Sequence, residues 1–198
     1  ILSVHSKGIS SLQLAEWLNV TQKTAWFLTH RIREMLADNA PELLNEVVEI
    51  DETYVGGKIS NKHVSKRKQY KANDNKTMVI GAVQREGKVK TKVIPNADVE
   101  NIQNAVVEFV EPNSTMYTDE SRAYNKVKDN YKHDTVRHRS KEYVRGDVHT
   151  NTIEGFWSVL KRQIHGIHHF VSPKHLQRYC NESSYRYNTR GLEQDERF

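Results

Sequence analysis

The chain has 198 residues, 36% of them hydrophobic and 28% charged, a length that suits one medium domain or a main domain with a smaller one. Its 30 Lys and Arg exceed its 25 Asp and Glu, and the net charge of +5 favours a polyanionic partner. The single cysteine, Cys180, excludes an internal disulfide and a Cys-rich zinc site, and without a signal peptide or an apolar run near ~18 residues we expect a cytoplasmic protein.

The first predicted elements are two helices joined by a tight turn. Apolar residues of the first helix repeat at helical spacing: Ile9, Leu12, Leu14, Ala15 and Leu18. Asn19 then interrupts the pattern with a residue that tolerates the left-handed backbone of a turn. Thr21 suits the N-cap of a second helix, whose apolar residues are Ala25, Leu28, Ile32 and Met35.

Two helices with so short a connection predict a helix-turn-helix segment over residues 1–40. Small and apolar side chains suit the close crossing of that motif: Ala15, Val20, Ala25 and Leu28. Four polar side chains of the second helix would then face DNA: Gln22, Lys23, Thr24 and Arg31. An ordinary helical hairpin that packs on its neighbour is the alternative.

A second domain is predicted over residues 45–190. Its strands are expected at Val47–Val55, Thr77–Gln84, Val89–Ile94, Ser114–Thr118 and Thr135–His138, the first three forming an antiparallel meander. Its helices are expected from Asp98 to Val110, Ser121 to Lys128, Thr150 to Gln163 and Pro173 to Tyr187. This order predicts an α/β fold, a mixed sheet flanked by helices.

Three acidic residues point to a metal site in this domain. Asp51 lies in the first strand, Asp119 just past the fourth, and Glu154 in the first turn of the long helix. If the first and fourth strands are adjacent, the three carboxylates converge, and their mutual repulsion calls for a cation between them. Mg²⁺ or Mn²⁺ suits such oxygen ligands, and two ions ~3.5–4 Å apart serve phosphoryl transfer.

Each acidic residue also has a structural interpretation. Asp51 would pair with a cross-strand lysine, and Asp119 would cap the helix that follows it. Asn151 to Glu154 has the spacing of a capping box, in which Glu154 reaches back to the cap.

Basic residues supply candidate DNA contacts. Lys161 lies seven residues after Glu154, close to two helical turns, so both share a helix face; a solvated surface lysine is the alternative. Lysines and an arginine crowd the segment between the first two strands, including Lys66, Arg67 and Lys68, although such a run is usually a solvated loop. Further candidates precede or lie on the long helix: Arg137, Arg139, Lys141, Asn151 and Arg162.

Several of these segments resemble one known family. Glu49–Gly57, Tyr117–Asp119 and His149–Ser158, followed by Lys161 and Arg162, resemble IS1595-family transposases with their ISXO2-like catalytic domain. The later segments Val171–Leu176 and Tyr185–Asn188 are similar to the same family. The similarity spans nearly the whole chain, including the predicted helix-turn-helix.

The resemblance implies a DDE-type transposase with a ribonuclease-H-like fold that acts on the ends of a bacterial insertion sequence. Asp51, Asp119 and Glu154 match the catalytic acids, and Lys161 matches the basic residue after the third acid. Some members are described with Asn as the third catalytic residue, and Asn151 lies in the same motif. We therefore expect the protein to bind double-stranded DNA and to assemble on it as a homodimer. When bound, it would be associated with the nucleoid.

Two other functions fit the same sequence. One is a DNA-binding regulator whose second domain is an inactive relic of a transposase. The other is a metal nuclease of the same fold that cuts DNA without joining it. The three intact acids disfavour the first alternative, and the predicted helix-turn-helix disfavours the second.

Overall fold

The computed structural model describes residues 8–37, 42–57, 59–69, 74–120, 123–124, 130–136, 144–193 and 196–197. The chain forms two compact units, one of Ile1–Ala40 with Ser158–Phe198 and one of Pro41–Trp157. The functional domains predicted above, 1–40 and 45–190, stay predictions. Within the described ranges, no helix combines the length and the apolar character needed to cross a membrane.

A five-stranded mixed sheet forms the second unit. Its strands are β1 (Val47–Gly56), β2 (Lys76–Gln84), β3 (Val89–Ile94), β4 (Thr115–Asp119) and β5 (Lys132–Val136). The strand order is β3-β2-β1-β4-β5, with β1, β2 and β3 antiparallel, β4 parallel to β1, and β5 parallel to β4. This is the ribonuclease-H-like arrangement, so the predicted fold class and the predicted meander are confirmed.

The described residues form six α-helices in addition to the sheet. They are α1 (Ser11–Leu18), α2 (Gln22–Met35), α3 (Val64–Arg67), α4 (Val99–Phe109), α5 (Asn151–Gln163) and α6 (Leu176–Asn188). A π turn, Ile164–His168, follows α5, and a short 3-10 turn, Pro173–His175, precedes α6. The predicted helix 121–128 falls mostly outside the described residues, as do His138 and the candidate contacts Arg137, Arg139 and Lys141.

Helix α4 packs on one face of the sheet, so the candidate acids of β1 can be assigned to one face or the other. Its N-cap is Asp98, as predicted, since the Asp98 carboxylate accepts the N–H of Asn101 at 2.8 Å. Its apolar side packs with alternate residues of β1 and with β2: Ile102, Val106, Phe109, Val48, Ile50 and Ile80. Because successive residues of a strand point to opposite faces, Glu49 and Asp51 belong to the opposite face.

The first unit contains the predicted pair of helices. Ser10 caps α1 by accepting the N–H of Gln13, and Thr21 caps α2 by accepting the N–H of Thr24 at 3.2 Å. Asn19 adopts the left-handed conformation, with φ 51° and ψ 47°. The two helices and their turn therefore form as the sequence predicted, whereas DNA binding by this segment stays a prediction.

The buried face of α2 differs from the predicted apolar face. Leu28 is 39% exposed and Val20 in the turn 37% exposed, so the prediction that they fill this crossing is wrong. Met35, predicted on the apolar face of α2, is 82% exposed. Ala25 is buried as expected, but the other buried side chains of α2 are polar: Thr29, His30 and Arg33. The reason is that α2 packs on α6, which presents a buried carboxylate to it.

A buried ion pair joins α2 to α6. Arg33 donates from Nε to a Glu182 carboxylate oxygen at 2.7 Å, and Arg186 donates to the other oxygen at 2.8 Å. The Arg33 guanidinium also lies over the ring of Tyr179 at 4.1 Å. On the same helix, Cys180 is fully buried, and burial raises the pKa of its thiol to about 12.

A buried and a half-buried histidine make the stability of this unit depend on pH. Burial, helped by the charge of Arg33, lowers the pKa of His30 and of His168 from 6.5 to about 4. The other groups that act on them are His175, Arg178 and Glu34 for His30, and Glu182, Arg186 and His169 for His168. Because each folded pKa lies below the unfolded value, the unfolded chain binds more protons between pH 6.5 and 4.

The expected result is full stabilisation above pH 6.5 and a progressive loss as the pH falls toward 4. Urea unfolding midpoints measured across this window would show the loss. The double variant His30→Gln, His168→Gln is the control, and its midpoint should fall less steeply. An identical slope in the control would assign the pH dependence to other groups.

Candidate active site

The sheet brings Asp51 and Asp119 to the same level on adjacent strands. In the parallel pairing of β1 with β4, Glu49 is opposite Tyr117, the last pair of the register. Each aspartate lies two residues further along its strand, since 51 − 49 and 119 − 117 both equal 2. Neighbouring strands lie ~4.8 Å apart, so the two carboxylates belong to one face at the point where the pairing ends. The predicted adjacency of the first and fourth strands is thus observed.

The electrostatics of Asp51 show that the three predicted acids influence one another. Burial is the largest cause that raises the pKa of Asp51, from 3.8 to about 6. The carboxylates of Asp119 and Glu154 raise this pKa further, while hydrogen bonds from the backbone and from Trp157 lower it. Like charges gathered in this way favour either a proton or a cation between them.

Trp157 on α5 contacts Asp51 directly. Its indole N–H donates to a carboxylate oxygen of Asp51 at 3.1 Å. The ring lies against β2 at Gly81, the residue opposite Asp51 in the antiparallel register. A Cβ at Gly81 would lie 2.6 Å from the Trp157 ring, so glycine is required for this approach. The residue opposite Asp51 is therefore Gly81, with the Trp157 indole packed against it. The structural interpretation had expected a cross-strand lysine at this position.

We predict that Gly81→Ala destabilises the second unit. The added methyl group must displace the Trp157 ring, and overpacking of this kind costs about 1–3 kcal/mol. Gly155→Ala is a matched control on α5, because an added Cβ there meets nothing within 4 Å. The control should stabilise the helix by about 0.5–1 kcal/mol. Chemical denaturation measures both changes, and equal stabilities of the two variants would contradict the assigned contact.

Glu154 lies exposed in the first turn of α5. One carboxylate oxygen accepts the hydroxyl proton of Thr150 at 3.1 Å. The helix begins at Asn151, so a capping box that starts at Asn151 is wrong by one residue. The backbone N–H groups of Thr152 and Ile153 instead donate to the carboxylate of Glu49 on β1.

A fourth carboxylate near the site was missed by the sequence interpretation. Glu52 lies on the other face of β1 and accepts the hydroxyl proton of Tyr124 at 2.7 Å. Burial raises the pKa of Glu52 from 4.5 to about 7; Tyr124 lowers this pKa, and Asp119 and Asp51 raise it. In the sequence, the only indication of a role for Glu52 is its position next to Asp51, because its partner Tyr124 is 72 residues away.

The carboxylates of Asp51, Asp119 and Glu154 are chemically suited to bind a divalent cation. Carboxylate oxygens are the ligands that Mg²⁺ and Mn²⁺ prefer, and the mutual repulsion of Asp51, Asp119 and Glu154 is the electrostatic condition for such an ion. Among the described residues, no three acidic, histidine or cysteine side chains are already arranged to hold a metal ion. Binding of a metal ion by these three acids would involve rotation of their side chains.

Other predicted site residues are on α5 and in the loop around α3. Lys161 is half-buried and Arg162 exposed, both in the last turn of α5, and Asn151 is exposed at its start. Lys66 and Lys68 are exposed in and after α3. Arg67 donates to the backbone carbonyls of Ser60 and Lys62, at 2.7 and 2.9 Å, and so holds the loop that carries the two lysines.

The predicted DNA contacts of α2 are all exposed. Lys23 presents its ammonium group, while Gln22 donates to the hydroxyl of Ser11 at 3.3 Å. Thr24 interacts with the capping Thr21, and Arg31 lies over the ring of Phe27 at 5.2 Å, with Glu34 at 3.5 Å. Exposure is compatible with DNA contact, and that role stays a prediction for each of them.

A ribonuclease-H-like sheet with one carboxylate within β1, one at the end of β4 and one on α5 defines a class of proteins. Comparison with known sequences places this chain within it. Residues 43–188 match the ISXO2-like transposase domain, and the chain belongs to that family.

Two related proteins have names that refer to transposition. The chain is 28% identical over 102 residues to an uncharacterized transposase-like protein of Haemophilus influenzae, covering 51% of this chain and 81% of the relative. It is 30% identical over 180 residues to an uncharacterized protein in the transposable element ISH50 of Halobacterium salinarum. That match covers 84% of this chain but 60% of the relative, so the chain spans less than two thirds of the halobacterial protein.

Among solved structures, the catalytic core domain of BIV integrase is similar over 71% of this chain and 83% of that chain. The sequence identity is 12% and the TM-score 0.47. The ribonuclease-H-like fold of this chain is defined by the strand order and the strand pairing given above.

Proposed function

We propose that this chain is a DDE-type transposase that cleaves DNA at insertion-sequence ends and joins the freed end to target DNA. The observation that carries the proposal is the meeting of Asp51 and Asp119 on adjacent parallel strands, with Glu154 acting on the same charge cluster. Membership in the transposase family supports the same reaction class. Both steps are in-line displacements at phosphorus, in which the protein positions groups and neutralises charge.

Asp51, Asp119 and Glu154 would hold Mg²⁺ or Mn²⁺, with two ions expected. Such ions, when bound, activate the attacking oxygen and stabilise the leaving one. Trp157 would orient Asp51 through the hydrogen bond from its indole N–H. In this proposal Glu154 exchanges its hydrogen bond with the Thr150 hydroxyl for the metal ion.

The DNA would contact polar and basic residues of both units. In this proposal Gln22, Lys23, Thr24 and Arg31 meet the transposon end, and Lys66, Arg67, Lys68, Arg137, Arg139, Asn151 and Arg162 meet phosphates. Lys161 would hold a phosphate close to the cleavage point, as its match to the family suggests. Bringing two transposon ends together calls for a homodimer assembled on DNA.

The test is an assay that detects cutting and joining separately. An end-labelled duplex carrying the end of the element that encodes this chain is incubated with the protein, a target plasmid and Mn²⁺. Nicked product with a 3′-hydroxyl, followed by label in the plasmid, is the expected result, and EDTA should abolish both. Cutting without joining would identify a simple nuclease, and binding without cutting would identify an inactive relic.

The same assay decides which residue of α5 is the third catalytic group. We expect Glu154→Gln to abolish cleavage and Asn151→Ala to reduce it by less than about tenfold, the effect of one lost hydrogen bond. Both side chains are exposed, so neither change should alter stability by more than about 0.5 kcal/mol. The opposite order of effects would transfer the role to Asn151.

A further inference from the structure

Glu49 is a carboxylate that the three-acid site does not include. It lies on β1 two residues before Asp51, on the same face of the sheet, and its side chain is 0% exposed. A fully buried carboxylate is strongly destabilising unless it is paired and hydrogen-bonded. Its partners therefore show what it does in the fold.

Four hydrogen bonds converge on the Glu49 carboxylate. The backbone N–H groups of Thr152 and Ile153 donate to one oxygen at 2.8 and 3.2 Å. The Thr152 hydroxyl and the Arg85 guanidinium donate to the other at 2.9 and 2.8 Å. Nδ1 of His149 is 3.2 Å from that second oxygen but makes no hydrogen bond with it.

These bonds anchor the first turn of α5. The first N–H groups of a helix have no partner within the helix, and the helix dipole favours a negative charge beside them. Glu49 satisfies both conditions from a strand 103 residues away in sequence. The turn that it anchors also carries Glu154, one residue after Ile153.

Arg85 extends the anchor to the segment before the helix. Its second guanidinium nitrogen donates to the backbone carbonyl of His149 at 3.3 Å, and its guanidinium lies over the Tyr117 ring at 4.8 Å. Tyr117 is the β4 residue opposite Glu49. The pair of Glu49 and Arg85 thus joins β1, β4 and the entry to α5, the three elements that carry the proposed catalytic acids.

We infer that Glu49 is the positioning residue of this site, fixing the start of α5, and with it Glu154, relative to Asp51 and Asp119. Its oxygens are occupied by donors from the protein, so it orients the acids and does not add a further ligand. The inference rests on the proposed function for its consequence in cleavage, whereas the anchoring itself is measurable without DNA or metal.

The test is Glu49→Gln, which keeps the shape but replaces one accepting oxygen with an amide that donates. Amide hydrogen exchange by NMR should accelerate at Thr152 and Ile153 by roughly 10- to 100-fold, the effect of losing hydrogen bonds to a charged group. Exchange at Ile80 in β2 should stay unchanged, which separates local release from global unfolding. Glu111→Gln, at an exposed carboxylate, is the matched control and should alter neither.

In the cleavage assay, Glu49→Gln should lower the rate at saturating DNA by a similar factor and leave DNA affinity within about twofold, since the Glu49 side chain is 0% exposed. Thr152→Val removes only the hydroxyl donor, keeps the buried charge paired, and should give a smaller effect of the same kind. Unchanged exchange at Thr152 and Ile153 in Glu49→Gln overturns the inference. So does accelerated exchange with an unchanged cleavage rate. An inactive wild-type chain refutes the proposed function and leaves the exchange result to decide the anchoring.

Discussion

Asp119→Asn should reduce metal-dependent DNA cleavage by about 10³-fold, because under the proposed function it removes a metal ligand that contributes several kcal/mol of transition-state stabilisation. The change keeps the size of the side chain at the end of β4 and removes its charge. It also removes a neighbour that raises the pKa of Asp51, so this pKa should fall. Loss of activity should therefore come without loss of stability, a combination that a purely structural aspartate would not give.

Asp134→Asn is the matched control for this variant. Asp134 lies on β5, next to β4 in the same sheet, and makes an exposed ion pair with Arg145 at 3.3 Å. Cleavage by the control should match the wild type, since an exposed pair contributes little. Measured single-turnover rates in Mn²⁺ decide the outcome, and wild-type cleavage by Asp119→Asn would end the metal-site proposal.

The second large effect is expected in the other unit. Glu182→Ala should lower the free energy of unfolding by about 3–5 kcal/mol, because it leaves a buried charge without its partner. Burial raises the pKa of Glu182, but Arg33 and Arg186 outweigh it and hold the pKa below its usual value. The Arg33 side chain is 4% exposed, so water cannot replace the lost carboxylate.

Two comparisons make this expectation specific. Glu16→Ala removes an exposed carboxylate from α1 and should change stability by no more than about 0.5 kcal/mol. Combining Arg33→Met with Glu182→Leu removes both buried charges and should recover part of the loss. Denaturant unfolding curves measure all three, and a loss as small in Glu182→Ala as in Glu16→Ala would show that the pair is not buried in solution.

Local signals in the sequence were sufficient for most of the sheet. Glu86 and Gly87 mark the turn between β2 and β3, and Asp98 marks the start of α4, so these boundaries agree with the structure within a residue. Thr135–His138 was less accurate, since β5 begins at Lys132. Alternation of polar and apolar residues there is short, and its pairing with β4 comes from the tertiary fold.

The contacts that organise the site were beyond the sequence because their partners are far apart in the chain. Asp51 and Asp119 were identified from their places in and just past predicted strands, which is local information, and from the family resemblance. Glu49 on β1 caps the start of α5. The Trp157 ring that contacts Asp51 packs against Gly81, where a side chain would collide with it. The buried Arg33 reverses the usual rule that the inner face of a helix is apolar, and only α6 reveals why.

The burial of Cys180 has a practical consequence for testing the proposed DNA contacts. A thiol with a pKa of about 12 and no exposed surface does not react with maleimides or disulfides at neutral pH. The natural chain therefore behaves toward such reagents as if it had no cysteine. A cysteine introduced in place of Lys23 or Lys66 would be the one labelled position, ready for cross-linking to thiol-modified DNA or for a fluorescent probe.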